Sequence, residues 1–377
     1  MKADVNSIML YTITLLISMV LLLFVGKLKL KNKISLLLSL CLVALPLAVL
    51  AGMRYGVGTD YFSYLRKFEY VQTFSWTQCF YQHETEILFA LIIKATYAVT
   101  KSYEFIFFFV ELLTLVVGLF AIYRIKDKID ILYSFFIYYI LVYHQSYNIM
   151  RQTLAMSVVL LGLTYLIERS YKKYILVVVI ASFIHTTALM CLVFLFVPII
   201  LRKNIEASRD KMIAKSNLNI KLMLFYLIIL MSPIIEGQLL KIIININVFS
   251  SYVQYINSSA KIGIGTVVIA TLMIAPVYMR GNRYASNNNK DEIGILKDTL
   301  LLYLPLSFVG YYASWASRLS AYPQMVLVLL LPMLFKKNVI RYTPILKIYY
   351  MIYLTGNFVY EFWFLNYHQT FPYTFLK

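Results

Sequence analysis

The chain has 377 residues, of which 61% are hydrophobic, and it carries a formal net charge of +18. Soluble globular domains are closer to half apolar, so this composition excludes a soluble protein and indicates an all-helical protein that crosses a membrane several times. Most lysines and arginines lie in short segments between apolar blocks, which is the pattern that orients membrane helices, so the charge does not predict a nucleic-acid partner.

The N-terminal part of the chain sets the predicted orientation. Residues 7–25 form an apolar block that ends in a lysine cluster (residues 27–33) and lacks a small-residue cleavage site, so we interpret it as a membrane anchor. If the lysines are cytoplasmic, residues 34–52 cross outward and residues 53–102 form a first large extracytoplasmic loop. Within that loop, residues 86–100 predict a short or interfacial helix.

The rest of the chain continues the same alternation of apolar blocks and basic loops. The remaining predicted spans, in chain order, are residues 103–123, 129–147, 149–167, two short helices within 174–201 that turn near His185, 219–235, 262–279, 298–313, 320–335 and 343–358. A second extracytoplasmic loop is predicted at residues 236–261 and a polar cytoplasmic loop at residues 280–297. The sequence therefore predicts one integral membrane domain, residues 1–377, built as a polytopic bundle of about 12 helices.

Several charged residues fall on or near the predicted outer side, where the orientation rule does not account for them. They are Arg54, Asp60, Arg66, His83, Glu84, Glu86, Arg151, His185 and Arg318. An ionisable residue at membrane depth costs roughly 2.5–3.5 kcal/mol, so such residues often mark a substrate path or a partner. The alternative interpretations are arginines that reach the lipid headgroups and a buried histidine that is hydrogen-bonded scaffolding.

The sequence does not predict a metal site. His83, Glu84 and Glu86 lie close together in the first loop, but their spacing matches no strong metal motif, and we interpret them as solvated loop charges.

Three segments of the chain resemble one known family. RYGVGTDYFSYLRKF (residues 54–68) is similar to the first outer loop of the EpsG family, with its R-x-x-x-G-T-D-Y-x-x-Y-x-x-x-F pattern. Residues 151–192 resemble the family's R-Q-x-x-A helix, basic turn and following helix with A-x-x-F/I-H-x-x-A/S. SRLSAYPQMVLVLLLP (residues 317–332) is similar to the R-x-x-x-Y that precedes a late helix. The segments occur in the expected order across most of the chain.

This resemblance implies a polysaccharide polymerase of the Wzy type with a GT-C-like fold and a site on its extracytoplasmic loops. The expected substrates are undecaprenyl-diphosphate-linked oligosaccharides, as both donor and acceptor, and no cofactor is implied. The expected surroundings are the lipid of a bacterial inner membrane, and a chain-length regulator protein is a further expected partner. The positions that match the family's motifs are Arg54, Gly58, Thr59, Asp60, Tyr61, Arg151, Gln152, His185, Arg318 and Tyr322.

The chemistry of these residue types suggests a role for each. Arg54, Arg151 and Arg318 are expected to bind the diphosphate, because guanidinium groups suit phosphate oxygens. Either His185 or Asp60 is the candidate base, and we favour His185, since an aspartate beside arginines is a weaker base. Contacts to the sugar or support of the loop are expected from Gly58, Thr59, Tyr61, Gln152 and Tyr322.

Two other function classes are open at this point. A flippase for the same lipid-linked sugar would carry basic residues along a path open alternately to both sides, usually between inverted repeats, and the sequence contains no visible repeat. A GT-C enzyme that transfers one sugar from a monophosphate lipid, or a ligase with another acceptor, would differ only in substrate.

Overall fold

Helices are the only regular elements in the part of the chain that the structure describes, which confirms the predicted all-α class. The structure is a computed structural model and describes residues 4–28, 32–82, 84–196, 264–278, 287–312, 314–336 and 343–376. The predicted span at 219–235 and the predicted loop at 236–261 lie outside these residues.

The described ranges contain fifteen α-helices. In chain order they are α1 Val5–Lys27, α2 Lys33–Gly52, α3 Tyr61–Gln72, α4 Ile87–Thr100, α5 Glu104–Arg124, α6 Ile131–Tyr138, α7 His144–Ser146, α8 Met150–Ile167, α9 Tyr171–Ser182, α10 Ile264–Tyr278, α11 Asn287–Leu300, α12 Tyr303–Tyr312, α13 Ser314–Gln324, α14 Leu327–Lys336 and α15 Thr343–Phe358. Short 3-10 helices span Gln78–Phe80 and Thr186–Leu195, and π-helical turns span Tyr139–Tyr143 and Val359–Phe364.

Five of the described helical segments are long and apolar enough to cross a membrane by length and composition. They are Val5–Lys27, Lys33–Gly52, Glu104–Arg124, Met150–Ile167 and Arg318–Lys336, the last combining the end of α13 with α14. Each coincides with a span that the hydropathy pattern predicts. The class of polytopic membrane protein is therefore supported, while the total of about 12 spans and the GT-C-like topology stay predictions.

Two predicted short elements are confirmed. Residues 86–100 contain the 14-residue helix α4. The block after residue 174 does form two short helices, α9 and the 3-10 helix, with the extended backbone of His185 between them at φ −154° and ψ 117°. The imidazole therefore lies just after the end of α9 and just before the start of the 3-10 helix.

Two other segments differ from the prediction. Residues 131–146 are helical throughout, as the predicted span requires, but the helix has an irregularity that the pattern does not predict: α6 runs into a π-helical turn at Tyr139–Tyr143 and then into α7. The predicted polar loop at 280–297 contains the start of helix α11. That helix forms because Ile293, Leu296 and Leu300 recur on one face, which is buried where α11 packs on α8 and α14.

The predicted cytoplasmic segments meet at one end of the bundle. Lys336 Nζ donates hydrogen bonds to the carbonyls of Lys126 and Ile129, each at 2.9 Å. Lys128 Nζ lies 2.5 Å from Glu292 Oε1, which ties the end of α5 to α11. These contacts bring together charges that the sequence pattern assigns to the same side.

At the other end, the last residues of the chain lie against the first loop. We call residues 366–376 the tail and residues 53–60 the site loop. The backbone hydrogen bonds between them run from Tyr55 N to Thr374 O at 2.8 Å, from Gly58 N to Gln369 O at 2.9 Å, from Thr59 N to His368 O at 3.3 Å and from Leu376 N to Met53 O at 2.7 Å. The tail thus covers the site loop and satisfies backbone groups that neither segment could pair alone.

Candidate functional site

A cleft of about 210 Å³ lies beside the site loop and is lined by several ionisable residues. Its lining residues come from the start of α3, the start of α8, the turn before the 3-10 helix and α13. They are Asp60, Ser63, Tyr64, Lys67, Asn148, Ile149, Arg151, Gln152, His185 and Arg318. The structure therefore brings together Asp60, Arg151, Gln152, His185 and Arg318 of the predicted site, although up to 258 residues separate them in sequence (60 to 318).

Helix α3 presents one face to the cleft and another to the core. Asp60, Ser63, Tyr64 and Lys67 recur at the i, i+3, i+4, i+7 spacing that places residues on one side of a helix. Phe68 and the rest of the buried face pack into the hydrophobic core. The amphipathic pattern that anchors α3 therefore also aims its polar residues at the cleft.

Glu86 connects two of the predicted site residues. It caps the start of α4, and its Oε1 lies 2.7 Å from Nδ1 of His185, while its Oε2 accepts a hydrogen bond from Arg151 at 2.7 Å. The backbone N–H and the hydroxyl of Thr186 also donate to Oε1, each at 3.3 Å. Glu86 thus fixes the imidazole and the guanidinium in one arrangement.

The structure corrects the interpretation of Glu86 as a solvated loop charge, since its side chain is only 12% exposed. Burial by itself would raise the pKa of the Glu86 carboxyl, but the hydrogen bond from His185 and the charge of Arg151 outweigh that effect and hold the pKa well below its usual range. Glu84 is exposed, as predicted, and His83 lies outside the described residues. Because Glu86 is ionised, it can only accept, and the hydrogen of the His185–Glu86 bond belongs to Nδ1.

Arg318, the other arginine of the cleft, is held in place by a hydrogen bond to its backbone carbonyl. Nε2 of Gln152 donates to the carbonyl oxygen of Arg318 at 2.6 Å, which links the first turn of α8 to α13. The guanidinium of Arg318 is exposed and, among the described residues, pairs with no carboxylate. Arg151 is committed to Glu86, whereas Arg318 has its charge available to a ligand.

Arg54, the third arginine of the predicted site, does not line the cleft. The residue is 1% exposed, and its guanidinium carbon is 4.0 Å from the ring centroid of Tyr147 and 4.9 Å from that of Phe107. Its Nε and Nη1 atoms have no hydrogen-bond partner among the residues that the structure describes, and it is not among the residues that line the cleft. The structure therefore groups two of the three predicted arginines in the cleft and buries the side chain of the third, which belongs to the site loop, in a cation–π arrangement.

The other motif residues mostly shape the loop. Gly58 has φ +99°, and a Cβ there would lie 2.8 Å from Oδ1 of Asn148, so only glycine fits without strain. Tyr61 stacks on Phe107 at 4.8 Å between ring centroids. The exposed hydroxyl of Thr59 donates to Oδ1 of Asp60 at 3.2 Å.

Tyr322 is buried, and its hydroxyl lies 3.0 Å from that of Thr187. It supports the turn that follows His185 and does not line the cleft.

Sequence reasoning missed Glu86, Ser63, Tyr64, Lys67 and Asn148. The α3 residues carried a detectable signal, because their spacing matches a polar helix face that starts at the aspartate of the motif. Asn148 carried none: its side-chain nitrogen donates to the carbonyl of His368 in the tail at 2.9 Å, a contact across 220 residues. Within the described ranges, no group of three or more His, Cys, Asp or Glu side chains could hold a metal ion.

Comparison with known proteins gives one match. The family model described as EpsG family matches residues 37–375, nearly the whole chain. No match was found among curated proteins or among solved structures.

Proposed function

Since the chain belongs to the EpsG family, a family of Wzy-like polymerases, we propose that it joins lipid-linked oligosaccharide repeats into a polysaccharide at the cleft beside the site loop. The donor is a glycan on undecaprenyl diphosphate, and the acceptor is a hydroxyl of the next lipid-linked repeat. The acceptor oxygen forms a bond to the anomeric carbon of the donor, and the bond from that carbon to the diphosphate breaks. The bonding pair leaves with the diphosphate, and the acceptor proton passes to a base.

The observation that carries this proposal is the pairing of His185 with Glu86 in a cleft that also contains free positive charge. With its Nδ1 hydrogen donated to Glu86, at 2.7 Å, the imidazole has only Nε2 left to accept a proton. The ionised carboxylate also stabilises the imidazolium that forms. His185 therefore acts as the general base in this proposal, with Glu86 as its positioning residue.

The leaving diphosphate needs positive charge as it develops. Arg318, which pairs with no carboxylate in the described part of the chain, supplies one guanidinium, and Arg151 supplies a second one that Glu86 orients. Such preorganised charges act without reorganisation when the bond breaks. Asp60 orients the acceptor sugar, together with Gln152 and Thr59.

Arg54 and the buried tyrosines act on the substrate only through the shape of the site loop. Arg54 holds the loop against Tyr147, and Gly58 allows its close approach to Asn148. We place the cleft on the outer face of a bacterial inner membrane, where a chain-length regulator would reach it.

The test is polymerisation of purified lipid-linked repeats by the unmodified protein and two variants, with the products resolved by gel. His185→Gln keeps a hydrogen-bonding side chain without basicity and is expected to be slower by roughly 10²–10⁴-fold. Asp60→Asn is expected to weaken binding more than turnover. A nearly normal His185→Gln beside an inactive Asp60→Asn would make Asp60 the base.

A deletion strain separates the polymerase from a flippase. Loss of a polymerase leaves product with a single repeat on the cell surface, whereas loss of a flippase removes it. Absence of single-repeat product in the deletion strain would contradict the proposed function.

A further inference from the structure

Lys67 is the one cation of the cleft lining that the proposed reaction has not used. It lies at the end of the polar face of α3, two helical turns from Asp60. Its Nζ donates one hydrogen bond to the carbonyl oxygen of Glu84, at 3.0 Å. An ammonium group has three N–H donors, so two of them remain for a ligand in the cleft.

The surroundings of Lys67 are unfavourable for an ammonium group without a ligand. Burial lowers the pKa of Lys67, and the nearby positive charge of Arg151 lowers it further, while Glu86 and Glu84 oppose both effects. Glu86 cannot neutralise Lys67 fully, because it already forms its hydrogen bonds with Arg151 and His185. A partly buried cation in this position is stabilised when an anion enters the cleft.

We propose that Lys67 binds phosphate oxygens of the lipid-linked substrate and is, with Arg151 and Arg318, the third cation of the cleft. This inference rests on the proposed function for the nature of the lipid. It replaces Arg54 in the expected arginine triad, because the cleft lining includes Lys67 and not Arg54. A diphosphate carries more than one negative charge, and of the cations that line the cleft, Arg318 and Lys67 form no bond to a carboxylate of the described residues.

The direct test is protection of Lys67 from an amine-acylating reagent in the purified full-length protein in detergent. Farnesyl diphosphate is the probe, inorganic pyrophosphate tests whether the lipid is needed, and farnesol is the control without phosphate. Mass spectrometry then compares acylation of Lys67 with that of Lys101, which is exposed at the end of α4. Farnesyl diphosphate is expected to reduce acylation of Lys67 alone, and farnesol is expected to have no effect. Equal acylation of Lys67 with and without both phosphate compounds would overturn the inference.

Three variants measure how much the Lys67 side chain contributes to the affinity for farnesyl diphosphate. Lys67→Met is expected to weaken binding of farnesyl diphosphate by roughly 10- to 100-fold, the effect of losing one hydrogen bond to a charged group. Lys67→Arg keeps the charge and is expected to retain most of the affinity. Arg66→Met removes the neighbouring exposed cation, which does not line the cleft, and is expected to bind like the unmodified protein.

The outcomes separate this inference from the proposed function. If the protein makes polymer and Lys67→Met binds and polymerises normally, only the role of Lys67 is wrong. If farnesyl diphosphate protects Lys67 but no polymer forms from lipid-linked repeats, the phosphate contact stands and the polymerase proposal is wrong.

Discussion

Glu86 shows how one side chain can organise a site whose parts are distant in sequence. Its two carboxylate oxygens reach His185, Arg151 and Thr186, which lie on two different segments of the chain. The sequence motif names the histidine and the arginine but not the carboxylate between them. The Glu86–His185 pair resembles other sites in which a carboxylate orients an imidazole and fixes its tautomer.

Glu86→Gln is therefore expected to reduce turnover by roughly 10- to 100-fold, less than loss of the base itself. The amide oxygen can still accept a hydrogen bond from the imidazole, but the amide lacks the negative charge that would stabilise an imidazolium. Glu84→Gln changes an exposed neighbour and serves as the matched control. A variant with normal turnover would mean that Glu86 is only a structural cap.

The same substitution tests the electrostatics of folding. Since the pKa of Glu86 is lowered in the folded protein, its contribution to stability is complete above the ordinary glutamate pKa of about 4.3 and is lost as pH falls towards the lowered value. The difference in Tm between the original protein and Glu86→Gln is expected to be constant from about pH 8 to 6 and to shrink below about pH 4. A difference that grew on acidification would contradict this sign.

Among the helices, α4 illustrates why a short apolar segment carries a lysine. Lys94 is buried, and its Nζ donates to the carbonyls of Gln72 at 3.4 Å and Phe74 at 2.5 Å, at the end of α3. A cation there satisfies carbonyls that the last turn of α3 leaves unpaired and complements the helix dipole. The lysine thus fixes α3, and with it the polar face that lines the cleft.

Lys94→Met keeps the length of the side chain and removes the charge. It is expected to lower the free energy of unfolding by about 1.5–3 kcal/mol, the range for a hydrogen bond to a charged group. Hydrogen exchange in α3 is expected to accelerate, measured by mass spectrometry of the purified protein. Lys101→Met, at the exposed end of the same helix, is the control and is expected to change little. Equal stability of the two variants would show that Lys94 does not support α3.

Periodicity and length were sufficient to predict some elements and not others. They predict α4 and the turn at His185, because residues 86–100 and 174–201 have the wrong length for a single span. They do not predict the π-helical turn at Tyr139–Tyr143, which neither glycine nor proline marks. They also miss α11, since the polar residues at its start hide the apolar stripe that follows.

At the scale of the whole molecule, the N-terminal helices α1 and α2 are hydrogen-bonded to the tail. Tyr11 of α1 donates to the carbonyl of Thr370 at 3.0 Å, and the hydroxyl of Tyr373 donates to the carbonyl of Leu50 at 2.6 Å. Together with the backbone bonds to the site loop, these contacts fix the tail at the end of the bundle that contains the cleft. The sequence contains no pattern that pairs the tail with the site loop.

Truncation after Leu365 is expected to leave the protein in the membrane and to abolish polymer formation, because the site loop loses its backbone partners. The amides of Tyr55, Gly58 and Thr59 are expected to exchange faster with solvent, which mass spectrometry can follow. Tyr367→Ala, whose ring is 68% exposed, is the control and is expected to be active. Polymer formation at the normal rate by the truncated protein would show that the tail is dispensable for the site.

The hydrogen bonds between the site loop and the tail also determine when the site loop can be completed during biosynthesis. The ribosome makes Gly58 roughly 300 residues before Gln369, which at 5–20 residues per second is an interval of roughly 15–60 s. During that interval the loop is already translated, while its hydrogen-bond partners do not yet exist. The nascent protein can enter the membrane in this period, but its site loop lacks these backbone partners. If the site loop needs the tail, as the truncation is expected to show, the proposed polymerase becomes active only after residues 366–376 have left the ribosome.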